Sequence, residues 1–244
     1  RGGGDAVKKN GILGRFFLLL CFLFLYAPIL VLVVFSFNAS KSKAVWAGFT
    51  LDWYVELFHN DMILNALWVT LAVSALAAFL STIMGTAAAI GFRNLKRRSR
   101  NVSMMLLFLF GVAAFNGSLG QLLGVKWNMG FVTLLIAHIT FDVPNVILSV
   151  MPKLRQLDPN IYEAAQDLGD HGFHAFRSVI LPEIMPGVVN GLIIAFTLSI
   201  DDFVISYFTA GAQTQTLSMV IYSMAKKRVS PEINALSTLL FAAV

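Results

Sequence analysis

Long apolar runs separated by short polar stretches set the first expectation for this chain. Residues 16–37 hold no charged side chain over 22 positions. As an α-helix that run is ~33 Å long, enough to cross a hydrocarbon core of about 30 Å. Pro28 lies inside it and predicts a kink. A second run, 62–92, is rich in Ala, Ser, Thr and Gly. Small residues let helices approach closely in lipid, so this span is expected to pack against other helices. The runs 129–151 and 184–208 predict two more spans. The first is interrupted by His138, Asp142 and Pro144, the second by Asp201 and Asp202. A last run, 233–244, stops after about half of the ~20 residues a span needs. Between the runs 62–92 and 129–151, 104–124 reads as an incomplete span. It is apolar only from Met104 to Phe115 and turns Gly-rich and polar from Asn116 to Gly124. The polar stretch 38–61 carries Trp46, Trp53 and Tyr54, amphipathic aromatics that suit a membrane–water interface. The pattern predicts an all-α, polytopic membrane protein. It forms a single domain over 1–244 with about six transmembrane helices.

Composition agrees with the pattern. The chain is 57% hydrophobic and 13% charged, against about 25% charged in a soluble domain. A net charge of +5 would raise nucleic acid as a partner of a soluble protein. Here it reflects the cationic bias of cytoplasmic loops, and no nucleic-acid partner is expected. Arg93, Lys96, Arg97, Arg98 and Arg100 follow the second span directly and mark a cytoplasmic end. Counting lysines and arginines favours a cytoplasmic N-terminus whether or not 104–124 crosses, so charge alone leaves the topology open. The lone Cys21 lies in an apolar run and carries no function. No small-residue cleavage site follows the first run, which is read as a retained span. The start without Met and the abrupt end both read as trimmed.

The loop 152–183 carries the most specific local signal. Asp158 suits an N-cap, Pro159 the first helical position and Gly169 the residue past a helix end. Ile161, Ala164, Ala165 and Leu168 form one narrow apolar stripe. A second short helix is expected around Phe173, Phe176 and Ile180, ended by Pro182. Pattern alone leaves two uses open. The stripe could pack on this chain's own helices or seat another protein.

Glu163-Ala164-Ala165, then Gly169, then Ile180-Leu181-Pro182 resembles the EAA motif of ABC-importer permeases. The resemblance implies a cytoplasmic coupling loop. In it Glu163, Ala164, Ala165, Asp167, Gly169, Leu181 and Pro182 would dock on a separate ATPase. Asp170 departs from the family, which usually has Ala there. A cytoplasmic loop with a cytoplasmic N-terminus requires 104–124 to span. Against the family that segment is about 15 to 20 residues short, so part of it is expected to be missing from this sequence.

Further stretches resemble the bacterial spermidine/putrescine permeases. They are Tyr26-Ala27-Pro28-Ile29, Phe35-Ser36-Phe37-Asn38, Phe196-Thr197-Leu198-Ser199-Ile200-Asp201-Asp202-Phe203 and Ser230-Pro231-Glu232-Ile233-Asn234-Ala235-Leu236. The resemblance implies an inner-membrane subunit working with a second permease chain, two ATPase subunits and an extracytoplasmic polyamine-binding protein. ATP and Mg would be used by the ATPase, with no cofactor on this chain.

Carboxylates inside a membrane are costly and are functional candidates by default. Asp201, Asp202 and Asp142 are therefore candidates for a path taken by a multiply charged cation. Neighbouring positions on a helix point ~100° apart, so one of Asp201 and Asp202 is expected to line the path and the other to face a neighbouring helix. Two bland readings stay open: a cap or break at Asp201–Asp202, and a kink marked by Asp142 before Pro144. His138 reads as a satisfied packed histidine. No G-x-x-x-x-G-K-[ST] loop occurs, so ATP hydrolysis by this chain is not expected. The rival functions are an importer of ferric ion, sulfate or thiamine, and an ion-coupled secondary carrier whose aspartates bind the coupling ion. No nucleophile–base pair or metal-ligand cluster supports a membrane enzyme.

Overall fold

A computed structural model describes residues 4–40, 45–93, 129–158, 176–227 and 231–243, together with the single positions 103, 106, 161 and 174. Its helices, in chain order, are α1 (Gly4–Ser36), α2 (Asp52–Phe58), α3 (Asp61–Arg93), α4 (Phe131–Gln156), α5 (Leu181–Asp201), α6 (Val204–Thr209), α7 (Leu217–Lys227) and α8 (Pro231–Ala243). Among the described residues the β-structure amounts to one isolated bridge, Asn38 to Phe49. Among the described residues, four stretches are long and apolar enough to cross a membrane: Gly14–Ser36, Asp61–Arg93, Phe131–Gln156 and Phe176–Asp201. The segment 104–124 lies outside the described residues, apart from the single position 106.

The chain divides into two compact units, residues 1–64 with 221–244 and residues 65–220. In the first, α1 packs against α8, and α8 against α2. α1 runs through Pro28 without ending. Its Phe16, Phe17, Phe22 and Phe24 are exposed. In water so much open apolar area would be strongly unfavourable, whereas lipid tails solvate it. Asn38 organises the turn that follows. Its Nδ2 donates to Val45 O at 2.9 Å, and its Oδ1 accepts the Ala47 N–H at 3.0 Å. The Trp53 indole N–H donates to Asn38 O at 2.8 Å, and Trp53 is buried. Trp53 thus serves this turn, while Trp46 stays exposed as an interface aromatic would.

The second unit is built on close helix contacts. Along α5, Gly187, Gly191, Ala195 and Ser199 recur every four residues and are all buried. Four-residue spacing keeps side chains on one face, and small ones let α4 approach. A Cβ on Gly187 would sit 3.0 Å from Ser149 O, and one on Gly191 3.3 Å from Val146 Cγ1. With Gly187 near Ser149 and Ser199 near Asp142, the two helices run antiparallel. Val146, Ile147, Val150, Leu154, Ile184 and Ala195 form the buried core between them. On α3, Gly85 meets Val146, where an added Cβ would lie 2.7 Å away. Val73 shares a second cluster with Leu134. Earlier positions on α3 therefore meet earlier positions on α4. The two helices run in the same direction, and Arg93 and Phe131 lie at opposite ends of the pair.

Pro182 does not end a helix. Residues Phe176–Ile180 form a π-helical turn that passes directly into α5, with Pro182 in the first turn of α5. A first-turn proline loses no hydrogen bond the helix needs, and the wider turn before it absorbs the change in backbone geometry.

Candidate functional site

Polar groups gather where α5 stops. Asp201 is the last residue of α5, and Asp202 follows in extended conformation at ψ 120°. Phe203 returns to helical angles and α6 begins at Val204. The Asp202 carboxylate accepts the Ser206 N–H at 2.9 Å, satisfying one of the free amides at the start of α6. At the rise of a helix, Asp201 lies ~30 Å from Leu181. The two aspartates thus close the span rather than interrupt it partway.

On α4, His138 and Asp142 are one turn apart and both buried. Asp142 has 0% of its surface exposed. Ser199 Oγ donates to Asp142 Oδ2 at 2.8 Å. His138 Nδ1 lies 3.1 Å from Ser199 Oγ, and His138 Nε2 lies 3.2 Å from Ser206 Oγ. Asp202 Oδ2 is 3.9 Å from Nε2. Ser218 Oγ donates to Asp202 O at 2.9 Å. The second Asp142 oxygen, Oδ1, is buried without a hydrogen-bond partner among the described residues.

Asp142 and Asp202 therefore join one network through His138 and two serines, and Asp201 stays exposed outside it. α4 continues through Pro144, and Asp142 lies at the contact of α4 with α5. Ser199 and Ser206 were missed in the sequence. Ser199 carried a usable signal, because it extends the Gly187, Gly191, Ala195 stripe by one more step of four. Ser206 carried none. Of the loop residues, Leu181 is half-buried at the start of α5 and packs on the main core, and Pro182 is exposed. Glu163, Ala164, Ala165, Asp167 and Gly169 lie outside the described residues.

Residues 81–244 match the family described as binding-protein-dependent transport system inner membrane component. The chain belongs to this family. It is 39% identical over 246 residues to the putrescine transport system permease protein PotI of Escherichia coli (strain K12), covering 93% of this chain and 85% of that protein. It is 38% identical over 230 residues to the spermidine/putrescine transport system permease protein PotC of the same strain, covering 92% and 86%. The Haemophilus influenzae PotC is 35% identical, covering 93% and 92%. Among solved structures, a bacterial ABC transporter involved in the import of the acidic polysaccharide alginate superposes with a TM-score of 0.71 at 13% identity. The match covers 98% of this chain and 92% of that one. An identity that low speaks for the fold alone. This chain is an all-α, multi-pass membrane permease with the fold of ABC importers.

Proposed function

We infer that this chain is the permease subunit of an ATP-driven importer that carries polyamines, spermidine or putrescine, into the cell. The observation that carries the reading is identity of 38–39% over more than nine-tenths of the chain to permeases named for those cargoes. The carboxylates agree in chemistry. A polyamine is a flexible polycation, and Asp201 with Asp202 offers negative charge at a break between two helices, the kind of irregular backbone that membrane proteins keep for cavities and binding sites. Asp201, exposed, is assigned to face the cargo. Asp202 contributes from the edge of the network. Asp142, fully buried, supports Ser199 from behind without touching cargo in this conformation.

In this reading the N-terminus is cytoplasmic, and the loop 152–183 lies on the same side of the inner membrane. The shared direction of α3 and α4 supports that arrangement, since it places Arg93 and Phe131 at opposite ends. Glu163, Ala164, Ala165, Asp167, Gly169, Leu181 and Pro182 dock on the ATPase. ATP binding, with Mg, closes two ATPase subunits, and the loop passes that movement to α4 and α5 as one body. A second permease chain completes the path, and an extracytoplasmic binding protein delivers cargo. This chain itself supplies no ATP site and holds no cofactor.

The test is labelled polyamine uptake by the assembled complex, repeated with Asp201→Asn and Asp202→Asn. Uptake should fall in Asp201→Asn while ATPase subunits still co-purify. Unchanged uptake in both variants would remove the cation path from these residues. Strong competition by sulfate, thiamine or ferric ion, with none by polyamines, would move the chain to another cargo.

A further inference from the structure

We propose that His138 is a positioning residue for import, holding the two sides of the α5–α6 break in register so that Asp201 and Asp202 keep their placement. The inference rests on the reading that this break faces the cargo.

The groups around His138 give it a defined hydrogen-bonding role. A serine hydroxyl has one proton to donate. With Asp142 ionised, the Ser199 proton goes to Asp142 Oδ2 at 2.8 Å. Ser199 can then only accept from His138, so Nδ1 carries a hydrogen and donates at 3.1 Å. A neutral ring has a single N–H, which leaves Nε2 as an acceptor for the Ser206 hydroxyl at 3.2 Å. Ser206 also neighbours the Asp202 carboxylate, and its backbone N–H is already committed there. A hydroxyl turned to Asp202 would face Nε2 with a lone pair unless that nitrogen were protonated. The state of Asp202 is thereby tied to the bond that His138 makes with Ser206.

Placement gives that role a consequence. Ser199 lies two residues before Asp201 and Ser206 four residues after Asp202. His138, on α4, bonds to both sides of the break. Its ring is 1% exposed, and Ser199 and Ser206 are as deeply buried. Apolar packing constrains distance weakly in direction, whereas two bonds from opposite edges of a rigid ring fix where each flank sits. Without them α6 is held to α4 at its far end, where Thr133 Oγ1 donates to Thr209 O at 2.7 Å, while its start beside the extended Asp202 can shift and move the carboxylates with it.

The experiment uses the full complex with its binding protein and ATPase, reconstituted in vesicles, and reads polyamine taken up per ATP hydrolysed. The wild-type arm tests the cargo, because a complex that hydrolyses ATP but imports no polyamine refutes the proposed function and not the role of His138. With wild-type import established, His138→Phe keeps the bulk and removes both bonds. It should lower uptake per ATP about tenfold while assembly and binding-protein-stimulated hydrolysis persist. His138→Gln, with one donor and one acceptor, should recover a large part of the loss. Equal uptake per ATP in wild type and His138→Phe would overturn the proposal. So would a parallel loss of uptake and hydrolysis in both variants, the mark of a packing role. If His138→Phe does not assemble, Ser206→Ala removes one of the two bonds and decides the question by the same ratio.

Discussion

Ser199 on α5 donates a 2.8 Å hydrogen bond to Asp142 on α4, 57 residues earlier in the chain. The bond joins the only fully buried carboxylate among the described residues to the last turn of the helix that carries Asp201. Buried charge is tolerated when it is hydrogen-bonded and is strongly unfavourable when it is not. Ser199→Ala would leave Asp142 Oδ2 and the His138 N–H without partners together, at a cost of roughly 2 kcal/mol or more. Asp142→Asn is neutral and keeps an acceptor for Ser199, so its cost should be smaller. Thermal unfolding of the purified protein in detergent should rank Ser199→Ala below Asp142→Asn. The opposite order would mean that Ser199 is not what supports the carboxylate.

The glycines of the helix contacts should not respond alike. A methyl at Gly191 would meet Val146 Cγ1 at 3.3 Å, the end of a side chain that can shift. At Gly187 it would meet Ser149 O at 3.0 Å, and at Gly85 it would meet Val146 Cβ at 2.7 Å, where there is little room to yield. Overpacking of this kind costs about 1–3 kcal/mol. Gly191→Ala should therefore be mild, with Gly187→Ala and Gly85→Ala clearly destabilising. Folded yield and unfolding midpoint read the ranking, and a uniform response would contradict this packing.

Gly211 is a stricter case. Its φ is +72°, in the left-handed region, and a Cβ there would approach Met129 O to 2.5 Å. The same corner is fixed by Thr133 Oγ1, 2.7 Å from Thr209 O. Gly211→Ala carries both the backbone strain and the clash, so it should lose more stability than any single methyl at Gly191. Unfolding midpoints of the two variants compare them directly.

Trp53→Phe tests the turn around Asn38. Phe fills most of the buried volume but cannot donate to Asn38 O, which the indole reaches at 2.8 Å. The loss should be on the order of 1 kcal/mol. Asn38→Ala, which removes the contacts to Val45 and Ala47, should cost more. Equal midpoints for wild type and Trp53→Phe would show that the bond is not formed in the membrane protein.

Much of this architecture was legible before the helices were placed. Length and scarcity of charge mark α1, α3, α4 and α5, because a lipid core imposes those demands on any spanning helix. The Asp201–Asp202 break was legible as a polar interruption. Its depth was not, because an apolar run does not say where its helix begins, and the π turn at Phe176–Ile180 carries α5 back toward the loop. The His138–Ser199–Asp142 contact was hidden for a related reason. A helix that is apolar on most sides does not declare which face meets its neighbour. Only the four-residue repeat of small residues from Gly187 to Ser199 pointed to the buried face of α5. Pro182 misled because proline is read as a terminator, although it is equally at home in a first turn.

Polyamine import driven by a separate ATPase is read out by labelled uptake. The complex is reconstituted in sealed vesicles with its binding protein, ATP and Mg, and putrescine and spermidine accumulation is followed with and without ATP. Accumulation against a gradient should require ATP and the ATPase subunits and should fall when Asp201 is changed to Asn. Accumulation that proceeds without ATPase on an imposed ion gradient, or ATP-driven import of another solute with polyamines excluded, would contradict ATPase-driven polyamine import.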